Sequence, residues 1–118
     1  MAAESSHSRA ELRRRYAAIS SPTVSDVLDK LGWPNQAVHS SLRPLCSGPR
    51  LAGPALTMRG RTREQQDGSW GSAISYDMFR AIQPGDVIVF DCGGHEISGP
   101  WGGNTRASAR VRGAAGTI

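Results

Sequence analysis

Lysine, cysteine and aromatic residues are scarce in this sequence, and each shortage removes a class of function. Of the 14 basic residues only Lys30 is a lysine, and it falls in an amphipathic helical pattern that gives no hint of burial, which argues against Schiff-base chemistry. The 2 cysteines, Cys46 and Cys92, have no His or Cys companion at metal-ligand spacing, so they suggest no zinc site and both thiols are expected to be reduced. Apolar runs fall far short of the ~20 residues that a membrane helix needs. The opening MAAESSHSRAELRRRY carries charge where a signal peptide would be apolar. A cytoplasmic protein without membrane contact is expected. Aromatics make up 6% of the chain and no basic helix interleaves them, so the net charge of +4, carried by arginine, does not read as a nucleic-acid surface. Neither GxxxxGK(S/T) nor GxGxxG occurs, which removes the usual nucleotide cradles.

What is present suits one α/β domain: 118 residues with 38% hydrophobic content can bury roughly two thirds of the unfolded surface. Residues 1–8 are small and polar, and a first helix can begin near Arg9 and run through ELRRRYAAI. Its Arg13, Arg14 and Arg15 read as a solvated face. Thr23 and Asp26 have the spacing of a capping box, and Val24, Val27, Leu28 and Leu31 form an apolar stripe that a core helix explains, ended by Gly32. Residues 35–53 are rich in Ser, Pro and Gly and read as loop. In LAGPALTMRGR, Ala55, Thr57 and Arg59 would face one way and Leu56 and Met58 the other, as in a strand. The polar stretch 62–71 reads as a loop beside a pocket, and Ile74, Met78, Phe79 and Ile82 mark the next helix.

The densest signal runs from Gln83 to Ile118. Pro84 and Gly85 suit the centre of a tight turn, and Val87 to Phe90 reads as a strand buried on both faces. After Asp91 comes the glycine-rich loop CGGHEISGPWGGN, whose glycines permit sharp turns or close approach to a ligand. Asn104 or Thr105 can cap a helix through Arg112, Gly113 can end it, and GTI begins a further strand. Bare amides at such a helix start attract small anions. Asp91 and Glu96 are the acids best placed to touch a metal, although an acid at a strand end commonly caps the next turn. His95, without a HxH or HExxH companion, reads as solvent-facing. Trp101 either walls a pocket or fills core.

The ordered series PGDVIVFD, glycine loop, WGGN and alanine-rich helix, with SSPTVSDVLDKLG and GPA ahead of it, resembles the class II pyruvate aldolases acting on 4-hydroxy-4-methyl-2-oxoglutarate. That family includes the RraA-like regulators of ribonuclease E. The resemblance covers Ile19 to Ile118, leaving residues 1–18 as a polar extension and peripheral helix. It implies a swivelling β/β/α sandwich, incomplete at the carboxyl end, and assembly as a homotrimer or hexamer. It also implies a divalent cation, Mg²⁺ or Mn²⁺, and a small, pyruvate-like 2-oxo acid substrate. Gly102, Gly103, Asn104 and Thr105 match the segment whose amides receive the substrate carboxylate and keto oxygen. The family's Arg-Asp pair, which holds substrate and metal, would fall beyond Ile118. The expected activity is therefore metal-dependent retro-aldol cleavage with oxaloacetate decarboxylation, without substantial turnover in this 118-residue form. The alternatives are a non-catalytic, protein-binding regulator of ribonuclease E, or a fragment of a longer product.

Overall fold

A computed structural model describes residues 7–45, 47–48, 50–60, 72–94 and 101–118. The expected loop at 62–71, Cys46, His95 and Glu96 lie outside the described residues. Two compact units are distinguished, Met1–Leu51 and Ala52–Ile118.

The first unit contains α1 (Arg9–Ala17) and α2 (Ser21–Lys30). Ser8 caps α1, its hydroxyl accepting from the Glu11 amide at 3.2 Å. The cap of α2 is Ser20, not Thr23: Ser20 Oγ accepts from the Thr23 amide at 3.3 Å. The helix starts ahead of the expected capping box because Pro22 fits the first turn, where its missing N–H costs nothing. At the other end, Gly32 adopts φ 82. There Gly32 N–H donates to Asp29 O and Trp33 N–H to Leu28 O, the paired bonds of a Schellman terminus.

Neither helix has a buried residue. The stripe expected to lie in a core instead lines an apolar groove of about 370 Å³, with Val24, Val27, Leu28 and Leu31 facing Leu12, Tyr16 and Ile19. Two short helices form one seam, and one seam cannot enclose both walls; Tyr16 stays 54% and Leu31 66% exposed.

The second unit is a three-stranded parallel sheet in the order β1 (Ala55–Arg59), β2 (Val87–Asp91), β3 (Gly116–Thr117), with α3 (Ser72–Ala81) and α4 (Gly103–Val111) as the crossovers. Each crossover advances one strand in the same direction, so the right-handed rule puts both helices over one face. The packing agrees. Ile88, fully buried, meets Ile82 just after α3 and Ala109 on α4, with Leu56, Met58, Phe79, Trp101 and Ala114 around them. Strand alternation leaves Ala55, Thr57 and Arg59 exposed on the opposite face, as the sequence implies. Val87 and Ile88 are buried on both faces of β2, whereas Val89 and Phe90 are only half-buried.

Residues 83–86 form the expected turn, with Gly85 at φ 88 and the Asp86 amide donating to Gln83 O. A Cβ at Gly53 would run into Gly85 O, so the approach to β1 requires glycine there.

Candidate functional site

β2 delivers Asp91 to the carboxyl-terminal rim of the sheet, the edge where open parallel sheets bind ligands. Its carboxylate is bound on both sides. Oδ2 accepts from Arg59 Nε at 3.0 Å and Oδ1 from the Gly93 amide at 2.9 Å. The Gly93 amide first, and the Arg59 guanidinium second, hold the Asp91 carboxyl below its ordinary value. This is the turn-capping arrangement that acids adopt at strand ends.

Arg59 was not legible as a site neighbour from local pattern. The signal that could have found it is register: Arg59 pairs with Asp91 across the parallel ladder, so the two side chains leave the same face. Asp86 carries a second such role, made within its own turn. It is 2% exposed and accepts from the Gln83 amide at 2.8 Å, so the acid of QPGD braces the turn from inside.

Beyond Asp91 the chain turns through Gly93 (φ 61) and Gly94 (φ 75), conformations natural to glycine. It re-enters the described region at Trp101, which packs on the Ile82–Ile88–Ala109 cluster and therefore fills core. The helix that follows starts two residues earlier than expected. Its N-cap is Gly102, in extended conformation, and no side chain caps it; Asn104 and Thr105 lie within the first turn. Glycine is accepted at an N-cap, and among the described residues no side-chain oxygen takes up the first amides. The first helical bond runs from Arg106 N–H to Gly102 O at 2.9 Å, so the amides of Gly103, Asn104 and Thr105 precede any intrahelical acceptor. The first turn carries no acid, leaving the positive helix end unopposed. Among the described residues, ideal Cβ atoms at Gly102 and Gly103 would meet nothing within 4 Å, so no described group closes over the cradle.

The level of this cradle follows from the far end of α4. There Gly113 (φ 83) closes a second Schellman terminus, with Gly113 N–H donating to Arg110 O and Ala114 N–H to Ala109 O. Gly85 N–H donates to Gly113 O, and Ala115 N–H to Asp86 O, pinning the helix foot beside the start of β2. Nine helical residues rise about 13 Å, and five strand residues about 16 Å. The start of α4 therefore stands near the height of Asp91, at the same rim.

Lys30 is exposed at the end of α2, in keeping with the exclusion of Schiff-base chemistry. Cys92 is half-buried with its thiol 3.9 Å from Phe90 O. Among the described residues no three His, Cys, Asp or Glu side chains converge, and both oxygens of Asp91 are engaged. That donor set does not fit a divalent cation by itself. Among the described residues no helix is long and apolar enough to cross a membrane.

The RraA-like family model, described as Aldolase/RraA, covers residues 21–118. No curated protein and no solved structure matches the chain.

Proposed function

The chain belongs to the RraA-like (Aldolase/RraA) family, and from that premise we propose that it is a carbon–carbon lyase of the class II pyruvate-aldolase type. Its substrates are 4-hydroxy-2-oxo acids such as 4-hydroxy-4-methyl-2-oxoglutarate. The observation that carries the reading is the start of α4 at the rim of the parallel sheet, which no described side chain caps and no described group closes over. A 2-oxo acid presents a carboxylate and an adjacent keto oxygen. The amides of Gly102, Gly103, Asn104 and Thr105 provide hydrogen-bond donors for both, in a place where the helix end favours negative charge. As the bond between C3 and C4 breaks, charge builds on the keto oxygen, and fixed donors there stabilise the transition state more than the ground state. The Mg²⁺ or Mn²⁺ that such enolate chemistry uses would need ligands in addition to the described residues, no three of which converge.

Proline substitution isolates the amides. Gly103 is the first helical residue, a position that accepts proline, and Gly102 before it is already extended. Gly103→Pro should keep α4 while deleting one donor, and a single preorganised donor of this kind is worth roughly 3 kcal/mol when it acts in the transition state. Titration of the ¹⁵N-labelled chain with pyruvate should move the amide signals of residues 102–105, and Gly103→Pro should weaken that binding with the helix signals retained. Shifts elsewhere, or none, would defeat the reading.

A different observation favours a second reading, a non-catalytic regulator of ribonuclease E acting by contact. The groove between α1 and α2 exposes Tyr16, Val27 and Leu31 together, and contiguous apolar surface of this kind marks protein contact sites. Retention of a ribonuclease E fragment by the chain, lost on Leu31→Asp, would support it.

A further inference from the structure

We propose that Arg59 and Asp91 are positioning residues for the 2-oxo-acid cradle, acting together as a clasp that fixes the direction in which the chain leaves β2 toward α4. The inference rests on the reading of that cradle given above.

The clasp has three parts. Asp91 Oδ2 receives Arg59 Nε, Asp91 Oδ1 receives the Gly93 amide, and the Asp91 carbonyl receives the Gly60 amide at 2.8 Å. The end of β1 thus grips Asp91 through backbone and side chain together, and Asp91 in turn grips the first turn of the glycine loop. A Cβ at Gly60 would come within 3.2 Å of the Phe90 ring, so any larger residue there would require that ring to give by a few tenths of an ångström.

Energy alone does not account for this arrangement. The two side chains are 76% and 53% exposed, and exposed ion pairs add little to stability. Orientation does account for it. Gly93 and Gly94 both have positive φ, and a glycine pair without a partner samples many backbone states. One bond to the Gly93 amide removes most of that freedom at the root of the loop. With each carboxylate oxygen accepting one of these bonds, Asp91 holds the backbone at the root of the loop.

The experiment combines two readouts on the ¹⁵N-labelled chain: exchange of the Gly93 amide with solvent, and pyruvate affinity followed at residues 102–105. Asp91→Ala and Arg59→Gln should speed Gly93 exchange and weaken pyruvate binding roughly tenfold, the order seen when an orienting partner of a binding group is lost. The thermal midpoint should hardly move. Asp91→Asn keeps an oxygen for the Gly93 amide and should stay closer to the parent in both readouts. Unchanged pyruvate affinity in Asp91→Ala and Arg59→Gln would overturn the inference, as would a loss that merely tracks a fall in thermal midpoint. A parent chain that binds no pyruvate at residues 102–105 would remove the cradle itself, and this inference with it.

Discussion

Asp91 shows how one side chain changes meaning once its neighbours are known. An acid beside a glycine-rich loop invites a metal-ligand reading, yet both of its oxygens are used in orienting backbone and arginine. Its folded carboxyl titrates below the ordinary 3.8, chiefly through the Gly93 amide and then through Arg59. The sign follows from the lowered value. The group's contribution to stability is in place above its unfolded pKa and is lost as pH falls through the folded one. NMR titration of the Asp91 carboxyl should give a midpoint under the ordinary value, and Arg59→Gln should raise it. An unmoved midpoint in that variant would mean that Arg59 does not hold the carboxylate in solution.

At the scale of elements, the order helix, helix, strand, helix, strand, helix, strand was legible because each piece carries its own punctuation. Gly32, Gly85 and Gly113 all adopt the positive φ that their places demand, and the Leu56/Met58 alternation agrees with the burial of β1. The helix starts were less legible. Ser20 and Thr23 both suit a cap, and Gly102 competes with Asn104 and Thr105; which one wins depends on how the chain enters, not on residue type. Ser20→Ala should reduce the stability of α2 by about 1 kcal/mol, seen as lost helicity and weaker amide protection over residues 21–30. Thr23→Ala should do less, since the Thr23 hydroxyl meets only Ser20 Oγ, at 2.7 Å. A larger effect at Thr23 would restore the original capping box.

Across the whole molecule, periodicity identifies which residues are apolar partners but not what they end up touching. The stripes of α2 and β2 look equally core-like in sequence. Ile88 is 0% exposed between Ile82 and Ala109, while Leu31 remains open. The difference is tertiary: β2 is central, with neighbours on both edges and helices above, whereas α2 has one helix beside it in its unit. Met1–Leu51 and Ala52–Ile118 are distinct compact units, so damage to one core should be read in one unit. Ile88→Ala should cost about 3 kcal/mol, measured by denaturant titration of signals from residues 52–118, with the signals of α1 and α2 changing far less.

The sheet order β1-β2-β3 repeats the order of the residues themselves, and this has a consequence in time. Each strand that leaves the ribosome finds its partner already made, so no strand waits for a later one to be inserted between its neighbours. Pairing can proceed vectorially, one crossover at a time, with residues 60–86 closing first and 92–115 second. In pulsed hydrogen exchange during synthesis or refolding, amides that bridge β1 and β2, such as Val87 to Pro54 O, should become protected no later than Ile118 to Ile88 O. Protection of Ile118 ahead of Val87 would indicate instead that Ala109 must seat on Ile88 before β1 and β2 pair.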